Sequence, residues 1–442
     1  MQKAKYNLNS ILNNFKIDAL NPMQIATIEA NKKHADVVVL SATGSGKTLA
    51  FLLPVLELLD TNNKKTQALI IVPTRELALQ IDQVFKTMGT GFKISCCYGG
   101  HKRETEENNL VQPPAVIVGT AGRLADHIRR GNITTDTITT LVLDEFDKSM
   151  EMGFTDEMSF IISSLPAINK RILTSATHTH SIPEFIGIKD PEYLEFVGEE
   201  KSATTQLAIQ TVFSPDKDKA DTLFKLLCYI GNRSAIVFCN HRESVERTSE
   251  LLTQKGIYNV FYHGAMEQQE RDSALIKFRN GTFDVLVTTD LASRGLDIPN
   301  IRYIIHYHLP HTEDMFIHRN GRTARMDASG TIILILSEEE KLPEYVKHVD
   351  EKIQLPQEDV LPDKPKWSTI YISVGKKDKV NKIDIVGYLT KRGDLKMEDI
   401  GLIEVKDFFS FVAVRKTKIN QALHLLKEHK LKNKKVKIEV AK

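Results

Sequence analysis

Three groups of residues in this sequence could do chemistry together. The first is Ser41-Ala42-Thr43-Gly44-Ser45-Gly46-Lys47-Thr48. Gly44 and Gly46 let backbone N–H groups turn toward an anion with no Cβ in the way. Lys47 can reach the β- and γ-phosphates of a nucleotide, and the Thr48 hydroxyl can hold Mg²⁺. Ser41 stands where such loops usually begin with glycine, so the strict G-x-x-x-x-G-K-T pattern is broken at its first position. The second group is Asp144-Glu145. Asp144 suits Mg²⁺ held through water, and Glu145 could orient and deprotonate an attacking water. The third is Arg322 and Arg325, spaced i and i+3 and so on one face if helical. Their planar guanidinium forks suit a γ-phosphate. The three together describe hydrolysis of ATP, with arginines supplied across a cleft from a second domain. Gln24, just after Pro22, adds an amide whose donor and acceptor suit an adenine edge.

Positioning these groups requires strands. Val37-Val38-Val39-Leu40 reads as a buried strand before the glycine turn, and an apolar helix start, Leu49 to Leu56, follows it. Strands are predicted at 68–72, 93–98, 115–118, 140–143 and 171–174, each followed by a helical pattern. Their C-terminal ends run into Pro73-Thr74-Arg75, Gly99-Gly100, Thr120-Ala121-Gly122-Arg123, Asp144-Glu145 and Ser175-Ala176-Thr177. A repeated strand–helix pattern predicts an α/β fold, a doubly wound parallel sheet with its sites at the strand C-termini. The polar stretch around 197–215 reads as a linker. A second series follows at 234–239, 260–264, 285–290, 302–307 and 330–336, with no phosphate loop but with the arginine cluster.

The chain has 442 residues, enough for about three domains at ~150 residues each. No run of about 20 apolar residues predicts a transmembrane helix, and the N-terminus lacks the apolar core of a signal peptide. Cys96, Cys97, Cys228 and Cys239 show no metal spacing and read as small buried side chains in a reducing cytoplasm. Of 59 basic and 57 acidic residues, the last 79 positions hold 20 and 9, a net +11; the first 363 hold 39 and 48, a net −9. A basic tail on an acidic body points to a polyanion partner for the tail.

Over residues 1–345 the chain resembles the DEAD-box ATP-dependent RNA helicases, whose motifs occur here in family order. Gln24 stands in the Q motif, with Tyr6 the candidate aromatic upstream of it. Ser41 to Thr48 match motif I, Pro73 to Ala78 motif Ia, Gly99-Gly100 the GG motif, and Thr120 to Arg123 motif Ib. Asp144 to Asp147 stand for motif II and Ser175 to Thr177 for motif III. Phe238 lies in motif IV, Gln268 and Arg271 form the Q-x-x-R signature, Thr289 to Asp297 motif V, and His318 to Arg325 motif VI. The departures are Phe146 for the family's Ala, Ala121 for Pro, Ala324 for Gly and Asn320 for an aliphatic residue. The resemblance implies two tandem RecA-like domains, with ATP and Mg²⁺ held by motif I, Asp144, Gln24 and Asp297. It implies RNA contacts at Pro73, Thr74, Arg75, Gly99, Gly100, Thr120, Gly122, Arg123, Gln268, Arg271, Thr289 and Arg294. Ser175, Thr177 and His318 would couple the domains.

The last 79 residues change character. Strands at 369–374, 401–405, 408–414 and 435–440 with helices at 382–391 and 419–429 give a βαββαβ order, RRM-like. It resembles the DbpA-type RNA-binding domain of some bacterial DEAD-box proteins. Phe409 and Phe411 could stack on bases or sit in the core. The expected boundaries are 1–200 for the ATP-binding domain, 201–345 for the second helicase domain, 346–363 for a linker and 364–442 for the RNA-binding domain. The reading is a cytoplasmic, monomeric ATP-dependent RNA helicase acting on structured RNA, ribosomal RNA during large-subunit assembly, with pre-ribosomal particles as partners and no membrane. Its alternatives are a helicase acting on mRNA, a DNA helicase of the same superfamily, and a non-catalytic ATP-dependent RNA clamp.

Overall fold

The computed structural model describes residues 6–41, 44–176, 182–196, 207–290, 301–321, 330–427 and 429–441. The chain divides near residue 204 into two compact units, the second of which includes the C-terminal domain.

In the first unit the elements run α1 (Leu8–Phe15), α2 (Pro22–Lys33), β1 (Asp36–Leu40), α3 (Lys47–Leu58), β2 (Ala68–Val72), α4 (Arg75–Thr87), β3 (Ile94–Cys97), α5 (Arg103–Leu110), β4 (Val116–Thr120), α6 (Ala121–Arg129), β5 (Thr140–Leu143), α7 (Phe146–Glu151), α8 (Thr155–Ser163), β6 (Lys170–Ser175) and β7 (Glu192–Glu195). All seven strands are parallel, in the order β3-β4-β2-β5-β6-β1-β7. Both faces of the inner strands are covered, so these are mostly apolar and alternate residues enter opposite cores, while the edge strand β7, Glu192–Glu195, is polar and partly exposed. Ile70, Val116, Val118, Val142 and Ile172 pack with Phe51, Leu52, Val55, Ile81 and Phe85 of α3 and α4. Leu69, Ile71, Ile117, Leu141, Leu143 and Leu173 pack with Leu124, Phe146, Met158 and Ile161 of the opposite layer. Phe146, the residue that replaces the family's alanine, is 1% exposed and anchors α7 in this second core.

The second unit repeats the winding. It contains β8 (Ala208–Ser214), α9 (Ala220–Ile230), β9 (Ala235–Cys239), α10 (Arg242–Gln254), β10 (Asn259–Tyr262), α11 (Gln268–Arg279), β11 (Val285–Thr289), β12 (Tyr303–His306), α12 (Glu313–Asn320), β13 (Thr331–Ser337) and β14 (Glu351–Ile353). Its parallel order, β10-β11-β9-β12-β13-β8-β14, matches the first sheet strand for strand.

Two expectations are corrected here. The polar stretch taken as a linker to residue 215 contains β8, which pairs along its whole length with β13. Its polar residues hid a strand with only Thr211, Val212 and Ser214 fully buried. Likewise Glu351–Ile353 of the supposed linker adds an edge strand beside β8. The chain beyond it is strapped down: Asn232 donates to the Asp363 carbonyl at 2.7 Å and accepts from the Asp363 N–H at 2.9 Å.

The C-terminal domain has β15 (Trp367–Ile372), α13 (Lys382–Gly393), β16 (Ile400–Val405), β17 (Ser410–Arg415), α14 (Ile419–Leu426), a short hairpin of β18 (Lys430–Leu431) and β19 (Lys434–Lys435), and β20 (Ile438–Val440). The antiparallel sheet runs β16-β17-β15-β20, with α13 and α14 packed on the Ile370, Ile372, Val412 and Val414 face. This is the expected βαββαβ order; the hairpin is an addition too short to show in the sequence pattern. Among the described residues no helix is long and apolar enough to cross a membrane.

Leu52 is fully buried where α3 meets the first sheet. Leu52→Ala should cost about 2–5 kcal/mol, read as a lower urea midpoint for unfolding of the first unit.

Candidate nucleotide site and nucleic-acid surfaces

The phosphate loop is braced from α2. Asn21-Pro22-Met23-Gln24 encodes a capping box: Asn21 Oδ1 accepts the Gln24 N–H at 2.9 Å, and Gln24 Oε1 accepts the Asn21 N–H at 2.9 Å. Proline at the first helical position supports the same start. With both oxygens facing inward, both amide NH₂ groups turn to the loop. Asn21 Nδ2 donates to the Ser45 carbonyl at 2.8 Å, and Gln24 Nε2 to the Gly46 carbonyl at 3.3 Å. Gly46 sits at φ +91°, and a Cβ there would lie 2.7 Å from Gln24 Nε2. Gln24 thus lies beside the loop as predicted, but much of its hydrogen-bonding capacity goes to holding that loop. Tyr6 does not serve the site. Its hydroxyl donates to Glu57 in the last turn of α3, the opposite end from Lys47.

Lys47 is buried at the start of α3, and its ammonium donates to the Ser41 carbonyl at 2.8 Å. The Ser41 and Ser45 hydroxyls bond to each other across the turn, so serine at the usual glycine position closes the loop from within. Thr48 follows, half-buried.

β6 lies between β1, which leads to this loop, and β5, which ends at the carboxylates. Its last two residues join the two sides. The Ser41 N–H donates to the Ser175 carbonyl at 3.0 Å. The Thr174 hydroxyl donates to Asp144 and accepts the Glu145 N–H at 3.1 Å. Glu145 is held at φ 49°, ψ 49°, a left-handed conformation uncommon for a non-glycine residue. Burial, with the Glu145 charge beside it, pushes the Asp144 carboxyl up to about 6; the Thr174 hydroxyl and the Lys47 charge oppose the shift. A buried carboxylate short of positive charge, near a threonine hydroxyl, is a hard-oxygen donor set that fits Mg²⁺. From the sequence Thr174 is only the last residue of a strand, with no role at the site. Its only signal was its place one residue before Ser175.

At the C-termini of β2, β4 and β3, three neighbouring strands, the structure gathers the residues expected to meet RNA in this unit. An open groove of about 780 Å³ is lined by Gly99, Thr120, Gly122 and Arg123 among others, with both basic residues, Lys102 and Arg103, and acidic ones, Glu104 and Asp126. Thr74 caps α4 by accepting the Leu77 N–H at 3.3 Å, which sets Arg75 in the first turn. Gly100, at φ +95°, leaves room for Arg75: a Cβ there would sit 2.1 Å from Arg75 Nη1.

Arg123 is engaged within the protein. Its Nη1 donates to Glu106 at 3.0 Å and its Nη2 to the His101 carbonyl at 3.3 Å. Glu106, 2% exposed, also accepts from the Tyr98 N–H at 2.8 Å, His101 at 3.0 Å and His127 at 2.7 Å. Burial alone would raise its carboxyl; hydrogen bonds from His101 and His127, with the Arg123 charge, outweigh it and hold the group at about 2. Glu106, missed in the sequence, therefore staples the loop after Gly100 to α6. Cys97 lies close to Glu106 and His127. Four donors already on the carboxylate and an adjacent guanidinium oppose a cation there.

In the second unit, Gln268 opens α11 behind a capping box of Glu267 and Glu270. Arg271 is buried, with Nε and Nη2 on the Tyr262 hydroxyl at 3.2 and 2.8 Å, so it packs α11 onto β10 rather than facing solvent as an RNA contact would. Thr289 ends β11, and His318 is buried on α12. Ala42, Thr43, Thr177, Arg294, Asp297, Arg322 and Arg325 lie outside the described residues. Arg319, also missed, is 1% exposed and ties four elements. It forks onto Asp290 at 2.5 and 2.6 Å, donates to Asn240 at 2.9 Å and to the His308 carbonyl at 2.6 Å, and lies 5.1 Å from the Phe238 ring centre. Burial and the Arg319 charge push His306 down to about 3, so it stays neutral beside the guanidinium.

Comparison with known proteins agrees with this architecture. Residues 21–185 match the DEAD/DEAH box helicase family, 218–327 the helicase conserved C-terminal domain, and 369–440 the DbpA RNA binding domain. The chain is 32% identical to the ATP-dependent RNA helicase DbpA of Bacillus subtilis, covering 95% of this chain and 94% of that protein. It is likewise 32% identical to DbpA of Escherichia coli, over 98% and 96%. The fold resembles S. cerevisiae Dbp5 bound to RNA and ADP-BeF₃, with a TM-score of 0.70 and 24% identity, over 79% of this chain and 94% of that one. The chain belongs to the DEAD-box ATP-dependent RNA helicases. Within them it is similar to the DbpA proteins over nearly its full length.

Thr174→Val keeps the volume but removes the hydroxyl that joins the Asp144 carboxylate to the Glu145 backbone N–H. A hydrogen bond to a buried charge contributes roughly 1.5–3 kcal/mol. ATPase activity should fall on the order of 10–100-fold. The acid limb of its pH profile should move up, because Asp144 then holds its proton to higher pH. Thr174→Ser should restore both.

Proposed function

We propose that the chain hydrolyses ATP at the Lys47–Asp144–Glu145 site to remodel structured RNA, and that its target is ribosomal RNA during large-subunit assembly. The carrying observation is the carboxylate pair set by Thr174 on the strand next to the phosphate loop. Lys47 and the loop amides would bind the β- and γ-phosphates, with Gln24 holding the loop that receives them. Mg²⁺, held by Asp144 and Thr48, would neutralise phosphate charge. Glu145 would take a proton from the water that bonds to the γ-phosphorus, while the bond to the β–γ bridging oxygen breaks and ADP keeps its electron pair. Arg322 and Arg325 would supply further positive charge.

RNA contacts in the first unit fall on the groove of Gly99, Thr120 and Gly122, beside Arg75. Such contacts address phosphate and 2′-OH groups and carry little sequence preference. Target choice would then rest with the C-terminal domain, whose net +11 favours a highly charged, folded RNA such as that of a pre-ribosomal particle. The protein acts as a monomer in the cytoplasm on this reading; its four free cysteines support the reducing compartment.

Two measurements test the two levels. Glu145→Gln should keep ATP and RNA binding but lower turnover by about 10²–10⁴-fold; wild-type turnover would refute the general base. Removing residues 364–442 should abolish the advantage of large-subunit ribosomal RNA over poly(U) as an ATPase activator while poly(U) still stimulates. Identical activation profiles before and after removal would refute the ribosomal target.

A further inference from the structure

The C-terminal sheet has one face under its own helices and one aromatic face. Tyr371, Phe409 and Phe411 share the second, with ring centres 5.4–5.7 Å apart. RRM-like domains stack bases on such a face. Here it is covered. Phe411 is 2% exposed and clusters with Ile276 of α11 and with Ala441, with Tyr371 and Phe409 packed against them. Polar contacts rim the patch: Thr369 accepts from Asn280 at 3.3 Å and bonds Thr282 at 2.8 Å, and Arg279 pairs with Glu404 at 3.7 Å. Lys416 stands 4.6 Å above the Tyr258 ring. The aromatic face is spent on holding the second helicase domain.

The opposite resource is charge. Residues 376–379 and 430–437 contain eight lysines and one acidic residue, Asp378. Lys432 bonds the Lys379 carbonyl and pairs with Asp384, and Lys434 pairs with Asp378, which hold the β18–β19 hairpin against the 376–379 turn. Lys432 and Asn433 at the tip both have positive φ, the two-residue turn of a tight hairpin. In that hairpin Lys430 and Lys435, both exposed, stand directly opposite each other. Like charges placed across a strand pair repel and destabilise it. A short hairpin built with that repulsion gains when an anion is present.

We infer that the C-terminal domain grips RNA phosphates with the exposed lysines of this finger, Lys376, Lys377, Lys379, Lys430 and Lys435, which Lys432 and Lys434 hold in place through Asp384 and Asp378, and uses its aromatic face as a clamp on α11. The inference rests on the reading of this domain as the chooser of RNA. Separated point charges on long stems follow a folded phosphodiester backbone and read its shape rather than its bases. Because α11 also begins with Gln268, the finger is fixed relative to a helix that carries a helicase motif.

The test uses the full-length chain with two labelled probes, a large-subunit ribosomal RNA fragment and a stem-loop of unrelated sequence. Lys376→Ala/Lys430→Ala/Lys435→Ala, which leaves the Lys432–Asp384 and Lys434–Asp378 pairs intact, should weaken binding to both about tenfold or more. It should also make the slope of log K against log salt shallower by about 2, since each lost phosphate contact removes roughly 0.7–0.9. Tyr371→Ala/Phe409→Ala and, separately, Ile276→Ala should leave affinity within about twofold, and shift the emission of Trp367, the chain's single tryptophan, which packs beside Gly281. Unchanged affinity and slope in the lysine variant would overturn the finger. Loss of binding in both aromatic-face variants would restore the stacking face. Equal affinity of the unaltered chain for the two probes would count against the ribosomal target while leaving the lysine result to decide the finger.

Discussion

One threonine hydroxyl carries much of the organisation of the first domain. Thr174 donates to Asp144 and accepts from the Glu145 backbone, while the neighbouring Ser175 carbonyl holds the first residue of the phosphate loop. This is possible because β6 lies between β1 and β5. Two strands far apart in sequence deliver a lysine and two carboxylates, and the strand between them fixes their relative position. The cost is visible locally: Asp144 is buried with a raised pKa and Glu145 sits in a left-handed conformation. Stored charge and backbone strain of this kind persist only where the surroundings over-determine them. Here the buried strands on either side do so.

The second helicase domain repeats the strand order without a phosphate loop, and a buried arginine replaces the loop as its organising element. Arg319 satisfies its guanidinium on Asp290, Asn240 and the His308 carbonyl and stacks near Phe238. An arginine this buried is stable only when nearly every donor has a partner. The arrangement fixes Asp290, at the end of β11, relative to α12. Motifs IV, V and VI, separate in the sequence, meet at this one side chain. The C-terminal domain is joined to the same unit differently, by apolar and aromatic contacts on α11 and by the Asn232–Asp363 strap. It is therefore an extension of the second domain rather than a body on a free tether.

Some side chains expected to meet RNA or nucleotide are bonded within the protein. Arg123 braces the loop after Gly100 through Glu106, Arg271 packs α11 onto Tyr262, and Gln24 holds the phosphate loop. These internal bonds have a common physical source. Residue type and spacing report what a side chain can bond to, and a guanidinium or amide bonds equally well to a phosphate, a carboxylate or a backbone carbonyl. Only neighbours distant in sequence decide which of these is within reach.

The sequence by itself determined the class of fold, the nucleotide loop, the carboxylate pair and the basic C-terminal domain. Each of these rests on local pattern: apolar runs of strand length, glycine where positive φ is needed, proline at a helix start, charge that accumulates in one segment. Tertiary structure decided the rest. It showed that β8 and β14 belong to the second sheet, because an edge or half-exposed strand carries too few apolar residues to stand out from a linker. It found Thr174, Glu106 and Arg319, whose importance comes from partners as far as 79 residues away. It also settled which side of the C-terminal sheet Phe411 faces and what covers it. Alternation along a strand assigns residues to two faces, but what packs on each face depends on Ile276, in another domain.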